Sequence, residues 1–154
     1  MSSMQPFTTM MPSQIDVCVR AAQRTDVSRI VELAAELGYP VNVARVEAVL
    51  TASGDRTLFV ATQPNDVVGW IALARDVSLL GEGDVWIEGL VVDEPRRGRG
   101  VGAQLLAAAH DWARERGCTR VRVRSNVIRE EAHRFYEREG YRRFKTQHNF
   151  EFRL

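Results

Sequence analysis

A chain of 154 residues, 45% hydrophobic and 27% charged, is long enough for one domain with a real core and is ordinary in composition for a soluble globular protein. A formal net charge of +1 gives no general drive toward nucleic acid or a membrane surface, and no run of eighteen apolar residues exists to span a bilayer. Cys18 and Cys118 are too few for a disulfide framework, and His110, His133 and His148 hold no metal-ligand spacing with them, so buried free thiols in a reducing cytoplasm and metal-free chemistry are expected.

Residues 1–14 are Ser, Thr, Met and Pro-rich, carry no charge, and lack the basic start and continuous apolar run of a secretory signal. They read as a flexible tail before a single domain over 15–154. Ile15 to Arg20 alternates as a first strand. Thr25 or Asp26 can cap a helix whose apolar face is Ile30, Leu33, Ala34 and Leu37, stopped by Gly38-Tyr39-Pro40. Asn42 can cap a second helix with Val46, Val49 and Leu50 inward, ending before Ser53-Gly54-Asp55. Thr57–Thr62 and Val67–Arg75 read as strands joined by the hairpin turn Gln63-Pro64-Asn65-Asp66. Gly81-Glu82-Gly83-Asp84 is another turn, leading into the apolar, β-branched strand Val85–Val92. Glu88 is the one acid inside that strand, and Gly89 after it marks a bulge or a close approach to the backbone.

Asp93-Glu94-Pro95 ends the strand, and Arg96-Arg97-Gly98-Arg99-Gly100-Val101-Gly102 runs directly into a helix with Val101, Leu105, Ala108, Ala109 and Trp112 on one side. The first turn of a helix has N–H groups without internal partners and a partial positive charge. Glycines at 98, 100 and 102 clear the approach, and the arginines add forked donors, so a phosphate or pyrophosphate is the natural occupant. No lysine and hydroxyl follow as in a P-loop, and Gly-x-Gly-x-Gly is not the dinucleotide fingerprint. A solvated basic loop capping a helix and a nucleic-acid patch remain as alternatives, the latter disfavoured by the well-patterned elements on both sides.

After this helix, Arg116-Gly117 forms a basic terminus and stop. Val121 and Val123 alternate with Arg120, Arg122 and Arg124 as a strand, and the helix between it and Val92 has the length of a parallel crossover. Ser125-Asn126 closes that strand, Ala132–Tyr141 is a helix with Gly140 as its stop, and Arg143–Leu154 alternates Phe150, Phe152 and Leu154 as a last strand.

Arg97-Gly98-Arg99-Gly100-Val101-Gly102 resembles the Arg/Gln-x-x-Gly-x-Gly/Ala signature of the GNAT superfamily of acyl-CoA-dependent N-acyltransferases. Asn126 followed by Ala132-His133-Arg134-Phe135-Tyr136-Glu137-Arg138-Glu139-Gly140-Tyr141 resembles its second signature, and the two stand in the expected order across residues 16–154. The resemblance implies an α/β (α+β) GNAT fold, a mixed, mostly antiparallel sheet of six to seven strands with about four helices in the order β-α-α-β-β-β-α-β-α-β.

It further implies that the loop amides from Arg97 to Gly102 hold the pyrophosphate of acetyl-CoA. The pantetheine arm would lie along Leu90, Val91 and Val92, with Asn126 contacting its amides; the alternative for Asn126 is a helix-start cap. Tyr136 matches the residue that protonates the coenzyme A sulfur, the alternative being a core aromatic beside Phe135. A strand N–H near Leu90 or Val91 would polarise the thioester carbonyl.

Glu88 shares strand parity with Leu90 and Val92 and is expected on their face, as a base for the ammonium or a holder of a cationic substrate; its alternative is a structural partner for an arginine. His133 is a weaker candidate base, since helix-surface histidines among arginines are commonly solvated. Tyr39 and Val41 are expected to wall the acceptor site, with Glu88 and Asp84 as its anionic groups. The reading is a cytoplasmic N-acetyltransferase using direct transfer in a ternary complex, since no cysteine sits near the site motifs. The acceptor is a small-molecule amine, with a protein N-terminus or lysine, or a non-catalytic acyl-CoA-binding module, as alternatives. No nucleic acid or membrane partner is expected, and a homodimer is left open.

Overall fold

The structure, a computed structural model, describes residues 16–52 and 54–154. It divides into two compact units, one ending at Arg122 and the other Val123–Leu154.

In the first unit, strand β1 (Cys18–Ala21) leads through a 3-10 turn, Arg24–Asp26, into helix α1 (Val27–Glu36). Asp26 accepts from Gln23 N–H at 2.8 Å and from the Arg20 guanidinium at 2.7 and 2.9 Å, so a buried carboxylate fixes how the helix leaves the strand. Helix α2 (Val43–Thr51) begins as expected, with Asn42 Oδ1 accepting from Arg45 N–H at 2.8 Å. Strands β2 (Arg56–Gln63) and β3 (Asp66–Arg75) form the hairpin, turning at Pro64-Asn65 with Asn65 at φ 66°. Strand β4 (Val85–Val92), helix α3 (Val101–Glu115) and strand β5 (Val121–Val123) follow. The sheet order is β1-β2-β3-β4-β5, with each of the first four strands antiparallel to its neighbour among them. Val85 N–H donates to Arg120 O at 3.1 Å, which brings the starts of β4 and β5 together as a crossover demands.

Both faces of the sheet are covered. Val27, Ile30, Leu33, Ala34 and Val46 of α1 and α2 pack with Leu58, Val60, Trp70 and Val91. On the other face α3 presses so closely that a Cβ at Gly69 would lie 3.2 Å from Leu105 Cδ1 and 3.4 Å from Val101 Cγ1. Between them, Ile71, Leu73, Leu105 and Leu106 are fully buried. Cys18, expected to be buried, is exposed.

The second unit holds helix α4 (Glu130–Arg138). The last strand expected over Arg143–Leu154 does not form: residues 141–154 belong to no helix or strand, and Phe150, Phe152 and Leu154 are exposed. The alternating pattern is there, but a strand exists only with a ladder partner, and among the described residues the sheet has five strands, β1 to β5, against the six to seven expected. Ile15, expected to open the first strand, and the expected tail lie outside the described residues.

Candidate active site

The site is built on an irregularity in β4. Leu73 stands opposite Ile87 and Ala72 opposite Gly89, so Glu88 is an extra residue, a β-bulge. The bulge breaks the parity that groups Glu88 with Leu90 and Val92. Leu90 and Val92 pair with Ile71 and Gly69, on the face covered by α3, whereas Gly89 and Val91 pair with Ala72 and Trp70, on the face covered by α1 and α2. Glu88 is exposed, and its carboxylate lies 3.7 Å from Arg56 of β2. Arg56 stands opposite Ala74, which shares the face of Ala72 and Trp70. The expectation that Glu88 emerges beside Leu90 and Val92 is therefore corrected.

The close approach at Gly89 is made by the protein itself. A Cβ there would lie 2.8 and 2.9 Å from Cζ3 and Cη2 of the buried Trp70 ring. Glycine leaves room for that ring against β4, and the bulge takes one residue's backbone groups out of the regular ladder.

Beyond β4 the chain is pinned before it becomes the glycine loop. Asp93 N–H donates to Val68 O at 2.8 Å, and Arg97 Nε donates back to Val92 O at 3.0 Å. Arg96 pairs with the buried Gln63 side chain. Arg29 of α1 reaches Asp93 at 3.2 Å, Asp66 at 3.5 Å and Val67 O at 3.2 Å, tying the helix to the β2–β3 turn and the end of β4. The three loop arginines, read as equivalent from sequence, thus differ. Arg96 and Arg97 spend donors on the protein, while Arg99 is exposed and makes no ion pair or side-chain hydrogen bond among the described residues.

Gly98 and Gly100 adopt left-handed φ of 73° and 83°, and nothing lies within 4 Å of where a Cβ would stand at either. Left-handed backbone is costly for other residues. Gly100 is the N-cap of α3, with no side-chain cap and no acid in the first turn, so the leading N–H groups are uncapped from within the helix. Val101 and Gly102 are buried in the first turn of α3, so the exposed part of the loop is Arg97 to Gly100. Open, uncapped amides at a helix start beside Arg99 are the features that favour an anion.

Tyr39 is 53% exposed between α1 and α2, so it does not pack inward as a helix cap. Val41, paired with it in the sequence reading as acceptor surface, packs instead against the core. Asp84 is corrected as well. It is 2% exposed and held by Arg120 at 2.9 Å and Arg122 at 3.1 Å, so it anchors β4 to β5 and cannot face an amine.

In the second unit, Asn126 organises the approach to α4. Its Oδ1 accepts from Ile128 N–H at 3.2 Å, and its carbonyl accepts from Arg129 N–H at 3.0 Å and lies 2.9 Å from His133 Nε2. That contact gives His133 a structural role. Tyr136 is half-buried, edge-on to Phe135 and Tyr141 with centroids 5.1 and 5.4 Å apart. Burial pushes its phenol up to about 12, with Arg129 opposing, so it stays protonated at neutral pH.

Sequence reasoning missed Arg29, Arg56 and the fold-back of Arg97, because single arginines in an arginine-rich chain carry no pattern. Among the described residues no cluster of three or more His, Cys, Asp or Glu could hold a metal ion, and no helix is long and apolar enough to cross a membrane.

The profile of the Acetyltransferase (GNAT) family matches residues 26–141. An aminoalkylphosphonate N-acetyltransferase of Salmonella typhimurium is 41% identical over 87 residues, 53% of this chain and 54% of that protein, so the match spans about half the relative's length. An uncharacterized N-acetyltransferase of Bacillus subtilis is 33% identical over 105 residues, 68% of this chain and 73% of that one. Among solved structures, an aminoglycoside N-acetyltransferase in complex with CoA superposes with a TM-score of 0.82 at 21% identity, over 94% of this chain and 100% of that one; at that identity the likeness speaks to the fold.

Proposed function

The chain belongs to the GNAT acetyltransferase family, and from that premise we propose that it transfers an acetyl group from acetyl-CoA directly to a small primary amine. The observation that carries this reading is the open glycine loop, Gly98 and Gly100 left-handed and unobstructed at the uncapped start of α3. Arg97 to Gly102 would hold the pyrophosphate through backbone amides, with Arg99 as the unengaged cation and Leu90 to Val92 as the strand for the pantetheine arm. Asn126 is assigned to the pantetheine amides on the strength of the second signature.

Acetyl-CoA supplies the activated thioester. The amine nitrogen forms the new C–N bond as the C–S bond breaks; starting from the ammonium, the nitrogen gives up one proton before attack and a second as the amide forms, the departing sulfur takes up one, and one proton is released in net. Glu88 is the proposed proton acceptor or cation holder, directly or through water. Tyr136 is the proposed donor, supported by the signature and by a phenol that desolvation keeps protonated. Neither cysteine belongs to these motifs, which favours direct transfer over an acyl-enzyme relay.

A second reading concerns the acceptor. Arg56 beside Glu88 puts a cation next to the carboxylate, which suits an amine carrying one acidic group. The name of the Salmonella relative points the same way. A broad amine screen that detects free thiol tests both, with aminoalkylphosphonates, plain alkylamines of equal length, aminoglycosides and peptides as arms. Amine-dependent thiol release supports acetyl transfer. Tight acetyl-CoA binding without release above hydrolysis for any amine would make the protein a binding module. Release only with peptides would make it a protein acetyltransferase.

A further inference from the structure

Two residues on neighbouring strands break the ordinary rules of a sheet, and they meet. Gly89 lies inside β4, where a glycine has no side chain to pack and loses more conformational freedom than any other residue. Trp70 lies inside β3 and is 8% exposed, and its indole Nε1 is buried with no hydrogen-bond partner among the described residues. A buried donor left unpaired is costly, and phenylalanine or leucine would fill a core position without that cost.

What tryptophan adds over either is reach. Trp70 stands opposite Val91 and Gly89 opposite Ala72, so Trp70 and Gly89 are diagonal neighbours on the face covered by α1 and α2. The outermost ring atoms, Cζ3 and Cη2, stand 2.8 and 2.9 Å from where a Cβ of residue 89 would begin. Phenylalanine and leucine have no atoms that far out, and any residue but glycine at 89 would displace the ring. Trp70 shares its packed cluster with Val27, Ile30, Leu33 and Val46, so its neighbours hold it in place.

The place matters. Gly89 follows the bulge residue Glu88 and precedes Leu90, between the proposed proton acceptor and the strand assigned to the pantetheine arm. A pantetheine that runs from Val92 toward Leu90, with its thioester carbonyl held at Leu90 or Val91, sends the acyl chain on toward Gly89, which is partly exposed. There the wall has no side chain that can rotate aside. It is bare backbone, with the Trp70 ring standing where a side chain would start.

We propose that Trp70, packed against Gly89, sets the length of acyl group the protein accepts: an acetyl group fits against this wall and a longer chain runs into it. The inference rests on the acetyl-transfer reading and deepens it by naming the residue that selects the acyl donor. One methylene in a close-fitting apolar site is worth roughly 10–200-fold in selectivity. The wild type should therefore favour acetyl-CoA over propionyl-CoA by about tenfold or more, and over butyryl-CoA by a larger factor.

Trp70→Phe and Trp70→Leu test it on the full chain, beside the wild type. Calorimetric titrations of acetyl-, propionyl- and butyryl-CoA without amine give the donor preference in binding, and kcat/KM for the three donors with the best amine gives it in turnover. Both variants should narrow the preference for acetyl-CoA by about tenfold or more, with the affinity for free CoA unchanged. Trp70→Phe keeps an aromatic core and removes the unpaired N–H, so it should melt near the wild type and carries the test if Trp70→Leu does not fold. Adding Gly89→Ala to Trp70→Leu returns a methyl group to the vacated space and should restore the acetyl preference, which a residue that only supports the core would not do. A wild type that takes butyryl-CoA as readily as acetyl-CoA, or a folded Trp70→Phe protein with the wild-type donor ratio, would overturn the proposal and leave the acetyl-transfer reading standing. A wild type that binds no acyl-CoA would overturn both.

Discussion

Gly100→Asp separates the cost of the left-handed backbone from the cost of a charge at the anion site. Gly100 sits at φ 83° with open space where a Cβ would stand, so the substitution meets strain and no clash. Left-handed backbone costs roughly 1–2 kcal/mol, the lower end for Asp, which tolerates that region. At about 2–4 °C per kcal/mol the melting temperature should fall by only a few degrees. The cofactor effect is larger. A carboxylate ~5 Å from a pyrophosphate charge at an effective dielectric of ~20 is unfavourable by about 3 kcal/mol, on the order of 10²-fold in affinity. Gly100→Ala carries the strain without the charge and should lose much less. Titration calorimetry of CoA beside thermal melts of wild type, Gly100→Ala and Gly100→Asp reads both quantities. A folded Gly100→Asp protein with wild-type CoA affinity would refute the loop assignment, and equal losses for Ala and Asp would refute the electrostatic part.

Tyr136→Phe should lower kcat by roughly 10²–10⁴-fold with CoA affinity near wild type, as loss of a general acid does; presteady-state kinetics of CoA release checks it. The Tyr136 phenol is raised in the fold, so its contribution to stability is complete below the ordinary tyrosine value of about 10 and is lost as pH climbs through about 12. Tyr136→Phe should remove that part of the alkaline decline in melting temperature. Arg29→Ala should cost about 1–2 kcal/mol of stability and raise KM for acetyl-CoA more than KM for the amine, because the end of β4 loses its tie at Asp93; Arg29→Lys should restore only part, lacking the fork. Tyr39→Ala should raise the acceptor KM several-fold, and Glu88→Gln should lower kcat/KM for the amine by on the order of 10²-fold. Both should leave the calorimetric acetyl-CoA affinity unchanged, and a loss of cofactor binding in either would move the acceptor elsewhere.

The elements up to Val123 were legible because each carries a local signal. Asn42 caps α2 as its side chain predicts, the Pro64-Asn65 turn closes the β2–β3 hairpin, and the apolar faces of α1 and α3 are those that are buried. The glycine loop was legible because left-handed glycines before a helix leave few alternatives. What failed was non-local. The bulge at Glu88 follows from how β4 registers against β3, which strand parity cannot anticipate, and it reverses the face argued for that carboxylate. Asp84 looked like an exposed turn acid until Arg120 and Arg122 closed over it from β5. The segment ending in Phe150, Phe152 and Leu154 has a strand's pattern, but the existence of a ladder depends on an edge the pattern does not name.

The central claim, direct acetyl transfer to an amine, is met most squarely by a single-turnover experiment. Enzyme in excess over acetyl-CoA is mixed with the best amine from the screen, quenched at intervals, and the protein and small molecules are weighed by mass spectrometry. The account predicts that N-acetylated amine and free CoA appear together at one rate while the protein's mass never changes. An acetylated protein formed before the product, or CoA released without acetylated amine, would contradict it.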